Sequence, residues 1–344
     1  MVSFHEEYKT KLTATNVCTL PPFPKRIKIE SCGVCNHSCI ICPCAVQEEK
    51  HGIIDDNLCR RIIYDAFNAG ARELSLSLNG EPLLNPKLQE YISLAKNVGY
   101  DYVFINTNGE LLDRDTASIL LDANLDCVKV SVNAGNPESY RLIHGSDCFE
   151  SVIENILLFN KLRNERNQQC KLFVSFIATK ENLYEAGQLR FKIDKHVDDF
   201  IVINAFSRGW LPENVAFETS LLGNDDYSIS YPCGQLFDTA VVLAEGYLVV
   251  CCQDLDKSTV IADLREISIK DAWVCDKFVS FRKKYLNKDF QHTLCHNCLF
   301  GDDKKVEPLT PALAHYPINE LKVADRAKRI DMLRKLNQTE LNLD

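Results

Sequence analysis

Five cysteines lie close together near the start of the chain, at positions 32, 35, 39, 42 and 44. Cys35, Cys39 and Cys42 have the spacing C-x3-C-x2-C. Thiolates this close together on one loop can converge on a single metal, and sulfur ligands favour zinc, copper(I) or iron–sulfur. Three protein ligands leave one coordination position open for reactive chemistry, whereas a closed structural site needs four. Because Cys32 or Cys44 could supply a fourth ligand, a zinc site is the alternative interpretation.

A second set of cysteines lies towards the C-terminus. Cys233, Cys251, Cys295 and Cys298 follow the pattern C-x17-C and then C-x2-C. Four protein thiolates would close a metal site, which suits electron transfer. A zinc knuckle is the alternative interpretation, and Cys252 is an alternative ligand to Cys251.

Composition excludes several functional classes. The chain has 344 residues, sixteen cysteines and a net charge of −9, which argues against a nucleic-acid binder. No apolar run approaches the ~18 residues of a membrane span, and the N-terminus lacks the apolar region of a signal peptide. We therefore expect no membrane association and a cytoplasmic location. In a reducing compartment, clustered cysteines indicate metal binding or catalysis rather than disulfides.

Short apolar runs alternate with longer amphipathic runs between residues 26 and 205, which predicts an α/β fold with a parallel sheet. The predicted strands are Arg26–Glu30, Glu73–Leu78, Tyr102–Asn106, Cys127–Val132, Lys171–Ile177 and Phe200–Asn204. The predicted helices are Asp56–Ala69, Pro86–Val98, Asp113–Asp122, Phe149–Leu162 and Leu183–Lys195. An open doubly wound sheet and a barrel, complete or partial, both fit this pattern. In either fold, ligands bind at the C-terminal ends of the strands.

The pattern changes after about residue 206. We expect an irregular linker, a hairpin formed by Thr239–Leu243 and Tyr247–Cys251, and a helix over Ile269–Lys284. The amphipathic tail over Ile318–Leu336 is expected to dock as a helix, and its sequence carries no chemical signal.

The C-x3-C-x2-C motif follows the first predicted strand and is itself followed by Pro43, and in this setting it resembles the signature of the radical S-adenosylmethionine (SAM) superfamily. The resemblance implies a partial (β/α)6 TIM-like barrel in which Cys35, Cys39 and Cys42 bind a [4Fe–4S] cluster. The fourth iron would take the amino and carboxylate groups of SAM, and reductive cleavage would give a 5′-deoxyadenosyl radical. An external one-electron donor such as flavodoxin or ferredoxin is also implied. Family members usually carry an aromatic residue before the third cysteine, where this chain has Ile41.

Three further segments at predicted strand ends resemble the motifs with which this superfamily binds SAM. Residues 79–82 resemble the Gly-Gly-Glu motif, whose backbone and carboxylate bind the SAM amino group. Residues 106–109 resemble the loop under the cofactor, and residues 131–133 resemble the segment that contacts the ribose. Each alone would be an ordinary turn, but they occur in order at successive strand ends. The expected SAM-binding residues are Asn79, Gly80, Glu81, Pro82, Thr107, Asn108, Ser131 and Asn133.

The second cysteine set resembles a SPASM domain, since Gly246 is separated by four residues from Cys251. Because no cysteine follows Cys298, the region is most similar to the shortened twitch form, which binds one auxiliary [4Fe–4S] cluster. The predicted domains are an N-terminal extension (1–22), a radical SAM partial barrel (23–210), a twitch/SPASM-like auxiliary domain (211–305) and a C-terminal helical tail (306–344).

A barrel with one auxiliary cluster resembles the aminocyclitol dehydrogenases and aminoglycoside epimerases. The resemblance implies a radical SAM oxidoreductase or epimerase that abstracts hydrogen from a sugar, aminocyclitol or similar hydroxylated small molecule. A dehydrogenase would use the auxiliary cluster as electron acceptor. An epimerase would return a hydrogen atom from a thiol, for which Cys252 and Cys275 are available. Arg208, Arg141 and His144 are candidate substrate anchors.

Two alternatives remain at this stage. A peptide- or protein-modifying maturase of the same superfamily would cross-link, epimerise or oxidise residues. Such enzymes often carry a leader-binding module of about 80 residues before the barrel, and only 34 residues precede Cys35. A non-enzymatic iron–sulfur or zinc protein, acting as scaffold or electron carrier, would have no use for the SAM-binding motifs.

Overall fold

The strands of one sheet lead into both cysteine regions. The computed structural model describes residues 16–48, 52–204, 231–254, 256–300, 306–314 and 318–341. Within them the strands are β1 (Arg26–Ile29), β2 (Glu73–Ser75), β3 (Tyr102–Thr107), β4 (Cys127–Ser131), β5 (Lys171–Ala178), β6 (Asp199–Asn204), β7 (Thr239–Val242), β8 (Tyr247–Val249) and β9 (Val260–Asp263). Their order is β6-β5-β4-β3-β2-β1-β7-β8-β9.

Strands β1 to β6 are parallel neighbours in chain order. Their side chains are buried on both faces, as in β3, where Val103, Phe104 and Ile105 are all buried. On one face Val103 and Ile105 pack in the cluster that contains the helix side chains, and on the other Phe104 packs with residues of neighbouring strands such as Cys127 and Phe173. In the described residues the strand order does not close on itself, so the sheet is open and the predicted partial barrel is confirmed.

Helices connect the strands and cover the sheet. They are α1 (Asp56–Ala69), α2 (Leu88–Val98), α3 (Arg114–Asp122), α4 (Pro137–His144), α5 (Phe149–Glu165), α6 (Glu185–Ile193), α7 (Gln235–Asp238), α8 (Ile269–Val274), α9 (Asp276–Leu286), α10 (Leu294–Phe300) and α11 (Glu320–Leu341). Side-chain caps fix several helix starts: Asp55 accepts from Leu58 N and Asp113 accepts from Thr116 N. In the part of the chain that the structure describes, no helix combines the length and the apolar character needed to cross a membrane.

The hairpin that the sequence predicts after residue 233 extends the barrel sheet. Strand β7 pairs in parallel with β1, from Arg26 opposite Thr239 to Ile29 opposite Val242, and β8 and β9 continue antiparallel. The buried Glu30 carboxylate then accepts from Ala244 N at 3.0 Å. The loop after β1 therefore starts between β2 on one side and the hairpin on the other.

Several elements differ from the sequence prediction. Helices α4, α7 and α10 and strand β9 are not predicted from the sequence, because each is short. A signal for α4 was present, since Asn136 caps the helix and Pro137 occupies its first turn. The helix expected over Ile269–Lys284 is two helices, α8 and α9, because Cys275 between them is extended.

Candidate functional site

The first cysteine set lies on a loop that follows β1 directly; positions 32–44 are called the cysteine loop. Cys35, Cys39 and Cys42 are half-buried. Cys32, by contrast, is 2% exposed, and its thiol donates to the carbonyl oxygen of Val34 at 3.5 Å. This placement favours the three-ligand set over a zinc site completed by Cys32.

The three thiols affect one another electrostatically. Burial, with a smaller contribution from a charge on Cys42, raises the pKa of Cys35 to about 11. Burial also raises the pKa of Cys39 well above its ordinary value, with charges on Cys42 and Cys35 adding to the effect. Thiolates in this position need a positive partner, because burial and mutual repulsion both disfavour their charge. A metal centre supplies that charge, so the donor set fits an iron–sulfur cluster.

Gly80 lets the segment after β2 pack directly on the cysteine loop. A Cβ atom at this position would lie 2.5 Å from the carbonyl oxygen of Val34 and still closer to that of Cys32. Glu81 N donates to the same Val34 oxygen at 2.8 Å. The sequence predicts that Gly80 lets the backbone approach a ligand. In the structure, the space that a side chain at this position would need is filled by the backbone of the cysteine loop.

The Glu81 carboxylate connects two strand ends. It is 2% exposed, and it accepts from Thr107 Oγ1 at 2.7 Å, Asn108 N at 2.8 Å and Leu83 N at 3.1 Å. Burial raises its pKa to about 7, although these three hydrogen bonds act in the opposite direction. The carboxylate therefore fixes the loops after β2 and β3 to each other. Direct contact between this carboxylate and SAM stays a prediction.

Asn108 and Asn133 connect the remaining strand ends. Asn108 Nδ2 donates to Asn36 Oδ1 at 2.8 Å and lies 3.9 Å from the Cys35 sulfur. Asn133 Oδ1 accepts from Ile177 N at 2.8 Å, and the Asn133 backbone N–H donates to His144 Nε2 at 3.1 Å. Both amides hydrogen-bond within the protein, and contact between Asn133 and a ribose stays a prediction.

Two buried polar atoms at the same edge of the sheet have no hydrogen-bond partner among the described residues. They are Asn79 Nδ2, after β2, and Asn106 Oδ1, near the end of β3. A buried polar group without a partner costs about 1–3 kcal/mol, so both atoms fit a site for a polar ligand such as SAM. Pro82 is buried beside them in the turn after Glu81, and Ser131 Oγ lies 3.3 Å from Ser175 Oγ.

His144 does not have the position of a substrate anchor. Its side chain is 1% exposed, at the end of α4, with Nδ1 3.6 Å from the Cys39 sulfur. Arg141 is exposed on the same helix and lies 3.5 Å from Asp147. Arg208 lies outside the described residues.

The C-terminal helix docks on the cysteine loop, through contacts that its sequence did not indicate. Arg329 Nη2 on α11 donates to Ser38 O at 2.7 Å, and Nη1 donates to Leu142 O at 3.5 Å. The positive charge of Arg329 acts to lower the pKa of Cys39, against the larger effect of burial. Arg326 is buried near Cys42, and burial lowers the pKa of its guanidinium to about 10.

The second cysteine set surrounds one cavity. The residues that line the cavity are Cys233, Gln235, Leu236, Val250, Cys251, Gln253, Tyr285, Leu294, Cys295, Cys298 and Leu299. Cys295 and Cys298 lie on α10 three positions apart, which puts them on one helix face. All four predicted ligands therefore meet at a mostly apolar cavity, which fits a closed iron–sulfur site.

The alternative ligand Cys252 lies beside the cavity but does not line it. Its sulfur contacts Gln235 Oε1 and Gln253 Nε2, each at 3.9 Å, and it is in hydrogen-bond contact with the Cys251 thiol. Cys275 lies between α8 and α9 near the buried Arg282. The geometry favours Cys251 over Cys252 as the fourth thiolate.

The chain was compared with known families. Residues 29–177 match the family model of the radical SAM superfamily, and residues 233–299 match that of the SPASM iron–sulfur cluster-binding domain. The resemblance drawn from the two cysteine motifs is confirmed. The cofactors of these domains are SAM and [4Fe–4S] clusters.

Curated relatives match part of the chain. A probable GTP 3′,8-cyclase of Methanothermobacter thermautotrophicus is 32% identical over 130 residues, which make up 38% of this chain and 42% of that protein. The corresponding protein of Saccharolobus islandicus is 32% identical over 167 residues, or 46% and 53% of the two chains. The chain thus spans about half the length of these relatives.

Solved structures share the fold. Streptococcus suis SuiB bound to S-adenosylmethionine superposes with a TM-score of 0.63 at 16% identity, covering 76% of this chain and 68% of that one. BtrN in complex with AdoMet and 2-DOIA superposes with a TM-score of 0.53 at 19% identity, covering 83% of this chain and 97% of that one.

We expect Gly80→Ala to lower the iron content of the triplet site. The added methyl group would overlap with backbone oxygens of the cysteine loop, and overpacking of this kind destabilises the folded protein by about 1–3 kcal/mol. Gly187→Ala is the matched control, since nothing lies within 4 Å of its added Cβ. Iron and sulfide analysis after anaerobic reconstitution tests this, and equal iron in the two variants would contradict it.

Arg329→Leu should destabilise the cysteine loop by about 2 kcal/mol, because two carbonyl oxygens lose a charged donor. Lys328→Leu, at an exposed position on the same helix, should have little effect. Urea unfolding gives the free energies, and iron content shows whether the triplet site is retained. A stability equal to that of the Lys328 variant would disprove the contribution of α11.

Cys251→Ser and Cys252→Ser form a matched pair for the second site. The first should reduce total iron from about eight to about four per chain, and the second should leave about eight. The opposite pattern would assign the ligand to Cys252.

Proposed function

The chain is a member of the radical SAM superfamily with a SPASM-type domain, and from this premise we propose that it dehydrogenates a hydroxylated small molecule such as a sugar or aminocyclitol. In such a reaction a carbinol carbon loses a hydrogen atom, the hydroxyl loses a proton, and one further electron leaves. The protein must therefore hold a radical source beside the substrate and an electron acceptor within reach.

The residues present fit the cofactors of this family. Cys35, Cys39 and Cys42 would hold the catalytic cluster, and the edge with Asn79 and Asn106 would take SAM. When bound, the clusters and SAM supply a 5′-deoxyadenosyl radical that abstracts hydrogen and a one-electron acceptor.

The four-thiol cavity is the observation that supports an oxidative outcome. Cys233, Cys251, Cys295 and Cys298 line it together. Four thiolates fill the coordination of a cluster and leave no position for a substrate, so the site suits electron transfer rather than substrate binding. An epimerase would instead need a thiol that returns hydrogen to the substrate, for which Cys252 and Cys275 remain the predicted candidates.

The curated relatives support a small molecule. They are named for GTP, a nucleotide with a hydroxylated ribose, at 32% identity. The structure of SuiB has also been solved with a precursor peptide. At 16% identity, this similarity supports a shared fold but not a shared substrate. Peptide modification is therefore an outcome of the test and not the leading proposal. Arg208 remains a predicted substrate anchor.

The test measures iron content and 5′-deoxyadenosine in the same samples. Reconstituted protein is incubated with SAM and a reductant, either dithionite or reduced flavodoxin as the external donor. Wild type should hold about eight irons and form 5′-deoxyadenosine. A variant with Cys35, Cys39 and Cys42 changed to Ala should hold about four irons and form none.

A Cys295→Ala/Cys298→Ala variant separates the two sites. It should keep about four irons and still form 5′-deoxyadenosine, but it should lose the oxidised product. Panels of aminocyclitols, sugars, GTP and peptides are compared for stimulation of 5′-deoxyadenosine formation. Stimulation by peptides alone, or a product formed without net oxidation, would overturn the proposal. Iron-free protein with bound zinc would overturn the assignment of both sites.

A further inference from the structure

His144 is buried directly behind the cysteine loop. It is the last residue of α4, its ring stacks on Tyr140 with centroids 4.0 Å apart, and its Nδ1 lies 3.6 Å from the Cys39 sulfur. Two sequence-distant segments thus meet at one thiol.

Hydrogen bonding determines which ring nitrogen of His144 carries the proton. The Asn133 backbone N–H donates to Nε2 at 3.1 Å, and Asn133 Nδ2 lies 3.3 Å from the same atom. A nitrogen that accepts cannot carry a hydrogen, so the neutral ring must be protonated on Nδ1. Nδ1–H therefore points at Cys39.

Cys35 receives a different set of donors. The His37 backbone N–H lies 3.4 Å from its sulfur, and Asn108 Nδ2 lies 3.9 Å away. These groups belong to the cysteine loop itself and to the end of β3. The donor to Cys39 comes from α4 and is held by a second residue, so it is built into the barrel rather than into the loop.

We propose that His144 is a positioning residue for the catalytic cluster, donating an Nδ1–H···S hydrogen bond to Cys39 that raises the reduction potential of the cluster. The inference rests on the proposed function, because it takes Cys39 as a ligand. Hydrogen bonds to cluster sulfurs stabilise the reduced, more negative state and so raise the potential. Asn133 acts through His144, since its two N–H groups keep the acceptor nitrogen occupied.

The variants are chosen to separate the donor from the bulk of the ring. His144→Leu removes the donor. His144→Asn puts an amide N–H near the position of Nδ1. Tyr140→Phe is the matched control, because it keeps the ring stacked on His144 and loses only a hydroxyl 3.6 Å from Cys148. EPR-monitored redox titration of the full-length holoprotein follows the cluster signal that changes on addition of SAM.

We expect a lower potential in His144→Leu, partial recovery in His144→Asn and no shift in Tyr140→Phe. Wild-type holoprotein labelled with [15N]histidine should also show a hyperfine coupling from an exchangeable N–H at the SAM-responsive cluster. If His144→Leu fails to hold its cluster, this coupling in the wild-type protein tests the hydrogen bond from His144 to Cys39.

An unchanged potential in an iron-replete Leu variant would overturn the inference, and so would the absence of the coupling in wild type. Either result leaves the proposed function intact, because the SAM-responsive cluster is present in both. A wild-type protein with no SAM-responsive cluster would instead be a failure of the proposed function.

Discussion

The cysteine loop can pack where it does because residue 80 has no side chain. Backbone meets backbone at this point, with Gly80 against Cys32 and Val34. The approach places the Glu81 N–H on the Val34 carbonyl, and the same turn aims the Glu81 carboxylate at the loop after β3. The position of the three thiols relative to the strand ends thus depends on one close contact.

Most of the motif residues at the strand ends hold one another. Glu81 bonds to Thr107 and Asn108, Asn108 reaches the cysteine loop, and Asn133 reaches both β5 and His144. Buried polar groups of this kind are costly unless they are satisfied, and when satisfied they fix a single arrangement. These hydrogen bonds hold the loops at the strand ends to one another. The buried polar atoms of Asn79 and Asn106 mark the face on which a ligand would complete the network.

The two cysteine sites share one sheet. Strand β1 leads into the first loop, and its neighbour β7 leads through β8 into the segment with Cys251. Glu30 joins these strands at the same end through Ala244 N. Helix α11 then returns to the first loop from the far end of the chain, and its arginines add positive charge beside the thiols. Such charge favours the thiolate over the protonated cysteine, and it favours the reduced cluster over the oxidised cluster.

The sequence by itself determined the parallel β/α units, the two sets of candidate cysteine ligands and the family, because each depends on spacing or periodicity within a short segment. It also placed four motifs at successive strand ends. Only the tertiary structure decided what those residues touch. The structure favoured Cys251 over Cys252, moved His144 from the substrate to Cys39, and brought Arg329 to Ser38 across 291 positions of sequence. These contacts join segments that are far apart in the chain, so no local pattern records them, and they arise only when the sheet and its helices pack together.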